Sequence, residues 1–100
     1  MQPSDFVAYV GPSSLHDSTV AAVHELPGAV QVDVQTEVGD VVVVEFTGVR
    51  ALVQNCAVGM LLYALSEMRS ANKGRHFVFA NADDDGEAQL EVVADSVAFK

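Results

Sequence analysis

From Val30 to Thr36 apolar and polar residues alternate without a break, which puts Val30, Val32 and Val34 on one face and Gln31, Asp33 and Gln35 on the other. That period of two predicts a half-buried strand. Glu37-Val38-Gly39-Asp40 supplies a turn, and Val41-Val42-Val43-Val44-Glu45-Phe46-Thr47 follows with the strongest strand signal in the chain. Consecutive β-branched residues lose side-chain freedom in a helix and suit a pleated surface. One face of this strand, Val42, Val44 and Phe46, is wholly apolar; the other begins with Val41 and Val43 and turns polar at Glu45 and Thr47. The two strands are expected to form an antiparallel hairpin.

Phe6 to Val10 reads as a short first strand closed by Gly11-Pro12, with Ser13 to Asp17 as a connection. Ser18 to Leu26 fits two periods, since Val20, Val23 and Leu26 are three apart while Val20, Ala22 and His24 alternate. Pro27-Gly28 at its end favours a strand, which completes a three-stranded meander. After Thr47-Gly48 the period changes. Val58, Leu61, Leu62, Leu65 and Met68 form a stripe at helical spacing, so the pattern predicts an amphipathic helix from about Cys56 to Ala71. Asn55 would cap its start and Asn72 or Gly74 would end it. Met60 and Tyr63 lie off the stripe, and Val49 to Gln54 is open between strand and helical turn. His76 to Ala80 and Leu90 to Ala94 alternate again and form a second hairpin, with Val97 to Phe99 as a last short strand or a bulged continuation.

The fold class these elements predict is α+β. It is a single domain over residues 1–100, with an antiparallel or mixed sheet of five to seven strands and one helix laid across the Val42, Val44 and Phe46 face. In that arrangement Val41 and Val43 lack cover, which marks them as a candidate binding or pairing surface.

Charge narrows the function. Five basic against fourteen acidic residues give a net charge of −9, which disfavours nucleic acid and anionic membrane surfaces. Met1 to Val49 contains no Lys or Arg, so a macromolecular partner is expected to be basic. The longest apolar run, Val58 to Leu65, is far below the roughly 20 residues that span a bilayer. The first residues lack the basic and apolar regions of a signal peptide, and one cysteine cannot make an internal disulfide, so the expected compartment is the cytoplasm.

Three constellations carry candidate chemistry. Leu15-His16-Asp17-Ser18 sets a histidine beside a carboxylate, as metal-dependent phosphohydrolases do, but only His24 and His76 are available as further histidine ligands; the alternative is a turn that satisfies backbone hydrogen bonds. Asn81-Ala82-Asp83-Asp84-Asp85-Gly86 matches the first six positions of a calcium loop, yet position 12 is Val92 where a bidentate Glu belongs. An acidic hairpin turn, with Asp83, Asp84 and Asp85 attracting cations at most weakly, is the simpler reading. Cys56 would sit at the helix N-terminus, where a thiolate is stabilised, without a second catalytic element. Arg69, Lys73 and Arg75 would complement the negative end of that helix, or bind an anion or the acidic first half of another copy.

Leu15-His16-Asp17-Ser18, Val20 and Val23, an alternating strand, and then Val44-Glu45-Phe46-Thr47-Gly48-Val49 resemble small uncharacterised bacterial domains that include immunity-type proteins of contact-dependent and polymorphic toxin systems. In those domains a Leu/Phe-His-Asp motif opens a β-meander, and a Phe-x-Gly/Asp-Val segment follows the third strand. The resemblance covers the first half of the chain and transfers no catalytic residue; it implies a β-rich fold and a binding role. The expected function is a non-enzymatic interaction protein without a cofactor, of the kind that inhibits a basic partner. The alternatives are a structural homo-oligomer, such as a homodimer, that pairs through Val41 and Val43, and a small metal protein or hydrolase using His16 and Asp17.

Overall fold

A computed structural model describes residues 6–70, 73–82 and 87–100. The elements are β1 (Phe6–Val10), a single 3-10 turn (Ser13–Leu15), β2 (Thr19–Leu26), β3 (Ala29–Gln35), β4 (Val41–Thr47), β5 (Ala51–Asn55), β6 (Leu62–Met68), β7 (Arg75–Asn81), β8 (Gln89–Ala94) and β9 (Ser96–Phe99). They form two antiparallel sheets, one ordered β1-β6-β7-β8-β5 and the other β2-β3-β4-β9. The meander over β2, β3 and β4 and the hairpin of β7 with β8 stand as the pattern predicts. The residues left open at Val49 to Gln54 are mostly β5, and the final strand crosses to pair with β4 instead of continuing β8.

The fold is therefore a two-sheet β-sandwich, not α+β, and the predicted helix over Cys56 to Ala71 is replaced by a tight turn and β6. Two local features produced the misleading stripe. Between Leu62 and Ala64 the register against β7 slips by one residue, so Tyr63 is an extra residue in a bulge. A bulge turns a spacing of two into three, and Leu62 and Leu65 both reach the core from a strand. Before it, Gly59 at φ +94° occupies left-handed space that a right-handed helix cannot use, and Val58 and Leu61 of the supposed stripe face solvent.

The face formed by Val42, Val44 and Phe46 is covered by the opposite sheet. Val30, Val32, Val34 and Val44 from one sheet meet Leu62, Leu65, Leu90 and Val92 from the other, all at most 2% exposed. Phe46 joins the layers directly, its ring centroid 5.2 Å from that of Phe77 and 5.9 Å from that of Phe79. Among the described residues every buried side-chain nitrogen and oxygen has a hydrogen-bond partner.

The two outward faces differ. On the four-stranded sheet the exposed side is polar and cross-linked. His24 Nε2 meets Asp33 Oδ2 at 3.0 Å, Gln31 donates to Glu45 at 2.8 Å, Lys100 meets the same Glu45 at 3.0 Å, and the Thr47 and Ser96 hydroxyls bond each other. Val41 and Val43 belong to this face, Val41 exposed and Val43 half-buried between Asp33 and the Lys100 backbone. On the five-stranded sheet the register sets Phe6, Met68, His76, Val93 and Ala51 in one row and Tyr9, Ser66, Val78, Glu91 and Val53 in the next. The charged group in these rows, Glu91, is bonded within the face, to His76 Nε2 at 2.8 Å and to Gln89 at 2.7 Å.

The molecule is also polar end to end. Arg50, Arg69, Lys73 and Arg75 lie at the end where β6 passes into β7, Arg50 packed against the Gly74 backbone there. Arg75 clamps Glu67 with two hydrogen bonds, 2.7 and 3.0 Å, above the Phe77 ring, and those bonds hold the Glu67 carboxyl below the usual carboxylate range. The 13–18 loop, the β3–β4 turn and the β5–β6 turn gather at the opposite end.

Candidate functional site

The first candidate pair, His16 and Asp17, sits at that opposite end, on the loop that links the two sheets. The loop is held firmly. The Asp17 N–H donates to the Leu62 carbonyl at 2.9 Å, the Leu62 N–H donates to the Ser18 carbonyl at 2.7 Å, and the Ser18 hydroxyl, fully buried, donates to the carbonyl of Leu15. These bonds splice the start of β2 to the start of β6. Asp17 turns the chain at φ +63°, a left-handed conformation that Asp tolerates better than most residues.

His16 is fixed in a chemically informative way. Its Nδ1 lies 2.9 Å from the Tyr63 carbonyl oxygen, so Nδ1–H donates, and in the neutral ring Nε2 then carries the lone pair. That nitrogen stands 3.6 Å from Asp17 Oδ2. Two acceptors thus lie side by side, and what fits between them is a donor. The imidazole rests edge-on against Tyr63, centroids 5.3 Å apart, and Tyr63 in turn meets Tyr9 at 6.2 Å. The Tyr63 bulge is what carries this ring to the loop. A cleft of ≈ 240 Å³ opens here, lined by Tyr9, Val10, Gly11-Pro12-Ser13, Leu15, His16 and Tyr63 to Leu65. On the far side of His16 a second recess of ≈ 280 Å³ is lined by Ser13, Ser14, Thr36, Glu37 and Val38 of the β3–β4 turn. Among the described residues Asp17, Glu37 and Asp40 at this end have no lysine or arginine partner, whereas Glu45, Glu67 and Asp95 each have one.

Deprotonating Tyr63 would set a negative charge beside the Tyr9 phenol, and a hydrogen bond between the two phenols adds to the effect, so Tyr9 is raised above the ordinary tyrosine range. A group raised on folding contributes stability below its unfolded pKa and loses it as pH climbs through the folded value. Alkaline absorbance titration is expected to resolve one phenol that ionises late, and Tyr63→Phe to return it to the ordinary range. Two phenols titrating together in the unaltered protein would contradict the pairing.

The other candidates fall elsewhere. Asp83, Asp84 and Asp85 lie outside the described residues. Val92, at the twelfth position of the supposed calcium loop, points into the core. Cys56 is exposed in the turn after β5, at φ +51°, and the Cys56 thiol donates to Asn55 Oδ1; with the helix gone, so is the reason for a stabilised thiolate. Arg69, Lys73 and Arg75 flank the β6–β7 turn, not a helix end. His24 and His76 pair with Asp33 and Glu91 on separate sheets, away from His16. Among the described residues no three His, Cys, Asp or Glu side chains converge as a metal site would require, and no helix is long and apolar enough to cross a membrane. Tyr9, absent from the sequence-based candidates, and Tyr63, marked there only as lying off the apolar stripe, both line the cleft.

The chain matches no protein-family model, no curated protein and no solved structure.

Proposed function

We propose that the chain is a non-enzymatic binding domain that receives a basic side chain, arginine by preference, of a protein partner at the His16 end. The observation that carries this reading is the pair of acceptors, His16 Nε2 and Asp17 Oδ2, held 3.6 Å apart against the Tyr63 ring. A guanidinium offers in-plane N–H donors to both while its face or edge lies along Tyr63 and Tyr9, combining charge-assisted hydrogen bonds with cation–π attraction. Glu37 and Asp40 at the same end, and the net charge of −9, steer a basic protein toward it.

The same chemistry suits an inhibitor that blocks a basic protein, the role implied by the resemblance to immunity-type domains. A metal-dependent hydrolase is the poorer fit, because among the described residues no further His, Cys, Asp or Glu side chains gather with His16 and Asp17 as such chemistry needs. Cys56, exposed and free, is in keeping with a reducing compartment such as the cytoplasm.

The test is a titration of isotopically labelled protein with N-acetylarginine amide, followed by amide chemical shifts. Shifts centred on His16, Asp17 and Tyr63 are expected, with affinity falling about tenfold in Asp17→Asn, the loss of one charge-assisted hydrogen bond. Shifts scattered over the acidic surface and unchanged in Asp17→Asn would refute specific recognition at this cleft.

A further inference from the structure

The five-stranded sheet turns outward a face that ordinary solubility does not explain. Phe6, Tyr9 and Val53 are between 41% and 60% exposed on it, Val78 and Val93 are half-buried, and its charge is satisfied internally by the His76–Glu91 pair. The other sheet leaves Val41 exposed at one end but networks the rest of its outer side with Asp33, Glu45 and Lys100. Phe6 and Tyr9 stand on one edge strand and Val53 on the other, with buried Met68 and Ser66 and half-buried Val78 and Val93 between them, and apolar side chains spread in this way over one side of a sandwich mark an interface.

We infer that this face packs against the same face of a second copy, about a two-fold axis that lies between the sheets and runs across the strands. The occupant follows from charge. Such an axis reverses the strand direction, so the end bearing Arg50, Arg69, Lys73 and Arg75 lies over the partner copy's end bearing Asp17 and Glu87. Among the described residues Arg69 and Lys73 have no carboxylate partner, and Asp17 and Glu87 no lysine or arginine one, so the copies complete each other twice over. A parallel stack would instead set like ends together. The apolar centre, where His76 and Glu91 neutralise each other, lets two chains of net charge −9 approach without stacking charge on charge.

Five strands about 4.8 Å apart and about 17 Å long give a face of roughly 400 Å² per copy. Two such faces bury roughly 800 Å² in all, below the about 1,200 Å² of standard interfaces, so the dimer is expected to be weak, with a dissociation constant on the order of 100 µM.

Sedimentation velocity from about 1 to 500 µM tests the arrangement. The unaltered chain should shift from monomer to dimer across that range. Val78→Arg and Val53→Arg each set an arginine opposite Glu91, which the monomer tolerates, and each should abolish dimers; Val43→Arg, on the opposite sheet, should leave the equilibrium unchanged. Arg69→Glu combined with Lys73→Glu should weaken association about tenfold. A monomer at 500 µM, or dimers that survive Val78→Arg and Val53→Arg, overturns the proposal, and a charge-reversed variant that associates like the unaltered chain overturns the antiparallel stacking.

Discussion

Phe46→Ala is expected to destabilise the domain by about 3–5 kcal/mol, the range for truncating a buried phenylalanine. The side chain is fully buried, and its ring spans the gap between sheets to touch both Phe77 and Phe79. Truncation removes transfer free energy and leaves a cavity that neither sheet can close without sliding on the other. A domain of this size has only about 5–15 kcal/mol in hand, so the melting temperature should fall by roughly 15–30 °C. Phe46→Leu keeps most of the volume and should cost about 1–1.5 kcal/mol. Urea or thermal denaturation of the pair reads the difference. Equal costs for both would mean that the aromatic trio does not join the layers.

Gly11→Ala is expected to cost about 2–4 kcal/mol through two separable causes. Gly11 has φ +88°, where an L side chain costs about 1–2 kcal/mol. A Cβ there would also stand 2.6 and 2.7 Å from Phe99 ring carbons and 2.9 Å from a Leu15 methyl, an overlap that forces both to move. Placing Gly11→Ala in a Phe99→Ala background should recover the steric share and leave the backbone share. Simple additivity of the two substitutions would show that the ring yields freely. Because Leu15 precedes His16 and Gly11 lines the cleft, this substitution should also weaken arginine binding, whereas Phe46→Ala acts only on stability.

The hairpins were legible because period and turn chemistry agreed. Val30 to Thr36 alternates cleanly, and Pro27-Gly28 and Glu37 to Asp40 mark its ends. Where a bulge intervened, the period misled. Val20 and Val23 reach the core three residues apart because the register slips between Val20 and Ala22, just as Leu62 and Leu65 do around Tyr63. Pro27 rescued the first as a strand. Nothing beside Leu62 did so, and a residue spacing of three reads as helix whenever the extra residue of a bulge is invisible. The second sheet was lost with it, since β6 is the strand on which β1 and β7 pair.

The site divides in the same way. His16 and Asp17 are neighbours in sequence and could be named from it, but Tyr63 reaches them across 47 positions and through the bulge that the helical reading erased. Without Tyr63 the histidine has no fixed tautomer and the pair no direction. Val41 does stand exposed and Val43 half-buried on the outer face of the four-stranded sheet, and the apolar side chains that the helical reading hid are Phe6, Tyr9, Val53, Val78 and Val93 on the other sheet.

The contact between Gly11 and Phe99 has a kinetic meaning as well. Strands β2 to β4 and β6 to β8 close by short turns, each hairpin a local event. The pairings of β1 with β6 and β4 with β9 must each bridge about fifty residues or more of intervening chain before they gain anything, and Gly11 meets Phe99 only when both are made. Search of that kind places β-sandwich folding in the millisecond to second range. The wall of the cleft formed by Gly11 and Leu15 is therefore among the last surfaces to appear, and a newly made chain has no complete cleft until its first and last strands have found each other.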